Sequence, residues 1–279
     1  MLNHRSSRRQ PIALPLLTLF PLLSCEASVE GPIDPGTDPN FTIVAHSDPG
    51  FTSTNRKVDV FGVPIYAYAE VEDEKLLHAA NIMAQYLDNN EDGVVDNALL
   101  ISTLVSNNSA LYMWKKESQQ GSIHAQDLGA DESVPAWHTN GKTGRFDAAL
   151  EEVWHVITHS GFSTAYPNTL SEKSGTLLTN AMDIARGGHF ESIPNPYPTE
   201  AWYTYDDETC DYGCMAAEYI YWAMTSVLGA QETRAHEIQQ EWKLNTEVKV
   251  RETDKAIYAL LTDPTYVFPT VLPDGTYKR

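Results

Sequence analysis

Residues 71–105, VEDEKLLHAANIMAQYLDNNEDGVVDNALLISTLV, carry the change of period that decides the fold. Leu76, Leu77, Ala80, Met83, Ala84 and Leu87 recur at the spacing of one helical face. The stripe stops at a cluster of Asp, Asn and Gly, whose short polar side chains and permissive backbones favour turns. A second apolar run then predicts a helix over 98–105. Upstream the pattern differs. From Val58 to Tyr68 β-branched and aromatic residues dominate, and Gly62-Val63-Pro64 breaks the run, which predicts one or two strands. Phe41 to Ala45 is expected as a further short strand. Downstream, helices are expected over 148–158, 177–186, 215–228, 231–242 and 253–261, with Gly187 and Gly229 as stop signals. Pro264, Pro269 and Pro273 punctuate an extended tail. The expected class is mainly α within an α+β arrangement: a helical domain with a small β element and a helix–loop–helix.

The loop between the first two helices has chemistry of its own. Asp88, Asn90, Asp92 and Asp96 place side-chain oxygens at loop positions 1, 3, 5 and 9. Gly93 stands where a sharp turn is needed, and Val94 offers a backbone carbonyl at position 7. Calcium, a hard cation, takes such an all-oxygen shell. The stretch resembles an EF-hand loop, which implies bound Ca2+ with a structural role. It departs from that pattern at position 12, where Leu99 replaces the bidentate Glu. An Asx-rich turn without an ion is the other reading.

The segment from Ala149 to His159, ALEEVWHVITH, is the most chemical part of the chain. At about 100° per residue, Glu152 and His159 share a line on a helix and His155 lies beside it, with Glu151 to the other side. Imidazoles at i and i+4 form a pincer of the width zinc requires. Leu150, Val153, Val156 and Ile157 are apolar, so these polar groups enter a partly desolvated place where they need partners. His155-Val-Ile-Thr-His159 resembles the HExxH helix of zinc metallopeptidases, with Val156 where the general-base Glu belongs. Glu152 or Glu151, one turn upstream, is then the candidate base. Glu218, in the apolar run from Cys214 to Ala223, is similar in placement to the Glu of gluzincins that supplies the third zinc ligand. A carboxylate satisfied by Tyr or backbone is the alternative. Tyr203 and Tyr205 are candidates for oxyanion stabilisation. Glu152-Val-Trp-His155 is also half of a di-iron motif, but no second ExxH follows the leader. His78, His189 and His236 stand alone in sequence and read as core or surface residues.

The N-terminus reads as a targeting segment. His4, Arg5, Arg8 and Arg9 precede an apolar run from Ile12 to Leu23 that is too short and too proline-rich for a stable spanning helix. Leu22-Leu23-Ser24-Cys25 resembles the lipobox of bacterial lipoproteins, which implies acylation of Cys25 and a lipid-anchored protein of the bacterial cell envelope. The expected organisation is a signal peptide over 1–24, a lipidated N-terminus and tether over 25–40, and one globular domain over 41–279. In an oxidising compartment Cys210 and Cys214 are expected to pair as a disulfide.

The chain carries 19 basic and 38 acidic side chains, a formal net charge of −19. Losing Arg5, Arg8 and Arg9 with the leader takes the balance to −22. Nucleic acid is excluded as a partner, because phosphate binding needs a basic face. Neither a GxSxG elbow nor a Gly-rich phosphate loop occurs. The leading expectation is a lipid-anchored, calcium-stabilised exported protein with a zincin-like Zn2+ site, a metal-dependent peptidase or hydrolase acting on a peptide or polymer. Its rival is a non-catalytic calcium-binding cell-surface protein.

Overall fold

A computed structural model describes residues 39–279, so the leader, Cys25 and all of the tether but its last two residues lie outside the described residues. The class is α+β, with a five-stranded mixed sheet and more helix than strand. The strands are β1 (Val44–Ala45), β2 (Arg56–Val60), β3 (Val63–Ala67), β4 (Leu111–Trp114) and β5 (Gln126–Gly129), in that spatial order. β1, β2 and β3 pair antiparallel, with β2 and β3 joined by a tight turn at Phe61-Gly62. β4 and β5 add in parallel. A parallel neighbour needs a crossover, and helices α1 (Asp73–Leu87) and α2 (Ala98–Ser106) make the one from β3 to β4.

Every residue of α1 from Leu76 to Leu87 is buried, which exceeds the one-face stripe read from the sequence. The helix packs on β2 and β3 with one side and on α4 (Ala149–His155) with another. The short α3 (Ala136–Thr139) precedes α4. Beyond His155 the helix widens into a π-helical stretch, Val156–Phe162, before α5 (Ser163–Ala165). Gly161 lies in that stretch. A Cβ there would come within 2.6 Å of Leu100, so α2 approaches the π turn at a distance only glycine allows. α6 (Leu177–Ala185) and α7 (Tyr212–Val227) follow; α7 packs against both α4 and α6. The core gathers the wholly buried Trp137, Trp154 and Trp242.

Two stretches differ from expectation. The helix expected over 231–242 is reduced to α8 (Ala235–Ile238). Gln231 turns inward to donate to Thr225, and Trp242 pairs with Tyr203 in an isolated bridge while its indole N–H donates to Ser226 and the Leu244 carbonyl. The helix expected over 253–261 is two pieces, α9 (Glu247–Thr253) and α10 (Lys255–Leu261). Asp254 breaks them apart. Its carboxylate caps α10 by accepting from Ile257 and also accepts from Trp202 and Tyr219, so three partners fix it outside helical geometry.

The last residues form a strap across the end of α1. Thr270 and Val271 donate backbone N–H bonds to Asn89, Asp274 and Gly275 donate to Gln85, and Tyr277 donates its hydroxyl to Asp88. Gly275 has φ +79°, and a Cβ on it would lie 2.1 Å from His78 Nδ1. Among the described residues no helix is long and apolar enough to cross a membrane.

Candidate metal centre

α4 begins at a fixed point. Asp147 is fully buried, and its carboxylate accepts from the backbone N–H of Val134 at 2.7 Å and of Ala149 at 3.3 Å. From that start, two helical turns carry Glu151, Glu152 and His155 to α7. One ligand atom from each of Glu151, His155 and Glu218 lies within 4.8 Å of the others. His155 and Glu218, both expected as ligands and 63 residues apart in sequence, are thus brought together, but the third member of the group is Glu151, expected as a base, and not His159.

The group is chemically unbalanced. His155 is 7% exposed, and its Nε2, buried, has no hydrogen-bond partner. Glu218 Oε1 stands 3.3 Å away, within reach of an ion pair but outside hydrogen-bond geometry. A charge-assisted N–H···O bond would close to about 2.7–2.9 Å. Two donors on one tetrahedral zinc, each at about 2.0–2.1 Å, stand about 3.3 Å apart. The spacing and the orphaned nitrogen therefore fit a shared cation better than a direct bond. Burial pushes the Glu151 and Glu152 carboxyls above their ordinary range, and neighbouring carboxylates push them further. Burial works against a charged His155, but Glu218 and then Glu152 and Glu151 outweigh it and raise its pKa to about 9. Arg234 adds positive charge near Glu151 but is itself engaged by Glu237 and Gln231.

A supporting bond orients one carboxylate: Gln126, from the edge strand β5, donates to Glu152. Glu152 lies outside the tight group of three. His159 does too. A π turn advances each residue by about 80° instead of about 100°, which swings His159 roughly 70° from the line it would share with Glu152. Its side chain is 69% exposed and its Nδ1 lies 2.7 Å from Glu172. It still lines the same cleft of about 680 Å³ as His155 and Glu218. Tyr203 is buried and donates to the Met215 carbonyl, so it is spent; Tyr205 faces the neighbouring cavity.

A second group of three has no signature in the sequence. His78 and His138 each donate Nε2–H to the same Asp147 oxygen, at 2.7 and 2.8 Å. His78 is thus not isolated: residues from α1, α3 and the start of α4 meet there. Both distances are those of direct bonds and shorter than a zinc edge, so this cluster is closed by its own hydrogen bonds. His189 is not isolated either; it bridges Asp183 and Glu191.

In the loop, Asp88 is buried and accepts from Gly93 at 2.8 Å and Asp92 at 3.2 Å. Asn90 accepts from Asp92, Asp92 from Val94, and Asp96 from Asn89. Leu99 is half exposed and contributes no oxygen side chain. Cys210 and Cys214 are bonded, with Cα atoms 5.3 Å apart, at the entry to α7. Comparison with known proteins found no family model, no curated protein and no solved structure that matches the chain.

Proposed function

We propose that this protein is a lipid-anchored, calcium-stabilised metal-dependent hydrolase whose centre is Glu151, His155 and Glu218. One observation carries the reading: a buried imidazole nitrogen without a hydrogen-bond partner, grouped with the carboxylates of Glu151 and Glu218 and opening on a cleft. Imidazole and carboxylate donors suit zinc, and a bound zinc would supply Lewis acidity toward a carbonyl oxygen. Glu152, oriented by Gln126, is the general base that takes a proton from water. The test is metal content. The full chain purified without chelator should carry one equivalent of zinc, and His155→Ala should lose it. Protein that folds and contains no transition metal would end the proposal, whereas stoichiometric zinc without hydrolysis would support the non-catalytic surface protein.

Calcium enters through the loop of Asp88, Asn90, Asp92, Val94 and Asp96. Ligand that binds only the native state raises its melting temperature. Calcium should therefore stabilise the wild type, and Asp92→Ala should remove that gain; equal responses would place the ion elsewhere. Anchoring rests on the sequence around Cys25. Wild-type protein should partition into detergent, and Cys25→Ser should be released to the aqueous phase or remain unprocessed. Unchanged partition with normal processing would refute the lipid anchor.

A further inference from the structure

The cleft that holds His155 and Glu218 is the middle of a longer groove. On one side it shares Gln126, His155 and His159 with a depression of about 490 Å³. On the other it shares Glu191 and Asp211 with a cavity of about 690 Å³. The two arms differ in charge. The first is walled by Asn107, Asn108, Ser109 and Gln126 and contains no Asp or Glu. The second has Glu191, Asp206, Glu208 and Asp211 on its walls and no Lys, Arg or His among them, although His189 from behind pairs with Glu191. Between these carboxylates lie the rings of Tyr197 and Tyr205.

The walls of the second arm are fastened from behind. The Tyr205 N–H donates to the Tyr197 hydroxyl at 3.2 Å, which joins the two loops. The wholly buried Arg186 donates to the Phe190 carbonyl and lies 5.4 Å and 5.7 Å from the Phe190 and Tyr197 ring centres. The Cys210–Cys214 bridge closes the far side, with one sulfur residue on each cavity. Glu191 is already paired with His189 and Asp211 caps α7, whereas Asp206 and Glu208 are exposed, so their charges need no partner within the fold. They are free to receive one from outside.

We propose that this arm is the specificity pocket for a lysine or arginine side chain of a polypeptide laid across the His155–Glu218 centre. Carboxylates compensate the cation, and aromatic rings carry its aliphatic stem and its charge. The asymmetry selects the kind of chain. A polymer with a cation on every unit, such as an amino-sugar chain, would need acidic walls in both arms. A peptide needs them at one position and amide or hydroxyl partners elsewhere, which the first arm supplies from Asn107, Asn108, Ser109 and Gln126 beside His124, His155 and His159. The buried, unpartnered Nε2 of His155 marks the point along the groove where a ligand or its metal is engaged. The assignment rests on the hydrolase reading for its register across the centre, but side-chain recognition is measurable without turnover.

The experiment uses the full chain and fluorescent octapeptides that differ only at one central residue: lysine, acetyl-lysine or glutamate. Binding is followed by anisotropy with zinc present in the Glu152→Gln background, and again with zinc removed. The lysine peptide should bind about tenfold more tightly than the acetyl-lysine peptide, as a few exposed charge contacts and one cation–π contact allow. The combined variant Asp206→Asn, Glu208→Gln should reduce that preference to under about threefold. Its zinc content and melting temperature should match the wild type. Equal binding of the lysine and acetyl-lysine peptides, a preference that survives the double variant, or tighter binding of a glucosamine oligomer than of the lysine peptide would each overturn the pocket. Loss of zinc in His155→Ala with the lysine preference intact supports the pocket, whatever becomes of the hydrolase. A zinc-loaded, active enzyme indifferent to lysine refutes the pocket alone.

Discussion

Glu152→Gln should retain zinc and lower turnover by roughly two to four orders of magnitude, the usual worth of a positioned general base. The glutamine matches the carboxylate in shape and can still pair with Gln126. It cannot accept a proton from water. Retention of metal is expected because Glu152 stands outside the group of Glu151, His155 and Glu218. A second readout is the stability of metal-free protein. Glu151 and Glu152 have folded pKa values above their ordinary 4.5. The unfolded chain therefore releases protons that the folded chain keeps. Their contribution is full below the ordinary carboxylate range and is lost as pH rises through the raised folded values. Chelated protein should lose melting temperature across that window, less steeply in Glu152→Gln, and zinc should give back most at its upper end. Wild-type turnover in Glu152→Gln would remove the carboxylate from the chemistry.

Asp147→Ala should cost roughly 3–5 kcal/mol, the expected result of breaking a buried charged node from one side. For a domain of this size that is about 10 °C in melting temperature. Four donors converge on this carboxylate: two imidazoles and two backbone N–H groups. Burial alone would raise its pKa, but the bonds from His138 and His78 outweigh burial and hold it well below the usual carboxylate range. Its contribution is thus present above about pH 4 and is lost as pH falls through the folded value, at the opposite end of the scale from the Glu pair. Asp147→Asn keeps one acceptor and should cost less than alanine. Because Ala149 is among the donors, both variants should also weaken zinc binding by loosening the start of α4. A melting temperature in Asp147→Ala within a degree or two of wild type would refute the structural role.

The contrast between these two sites shows what a linear chain discloses. Glu151, Glu152 and His155 share one helix, so helical periodicity alone sets them on neighbouring lines. Glu218 is legible because a lone carboxylate in an apolar helix demands a reason. His78, His138 and Asp147 are spread over 70 residues on separate elements, and no local pattern connects them. The position of His159 departs from its sequence reading for a different reason. Its spacing from His155 suits an α-helix, but close packing of Leu100 against Gly161 accompanies a π turn that the spacing cannot reveal. The helical stripe of α1 is plain, while β4 and β5, four residues each, escape notice: strands that short carry too little alternation to register. Gln231 and Trp242 look helical locally and are captured by distant partners instead.

The strap has a consequence for the order in which the molecule takes shape. Gln85 and Asp88 find their partners 189 positions later in the chain, and Asn40 bonds the carbonyl of Tyr277 across 237. A ribosome delivers α1 and its loop long before it delivers residues 270–277. Until then His78 lacks its glycine cover and the first loop aspartate lacks its tyrosine. The amino-terminal part of the fold therefore waits in a partly finished state until residues 270–277, whose bonds to Gln85 and Asp88 span 189 positions, arrive to close it.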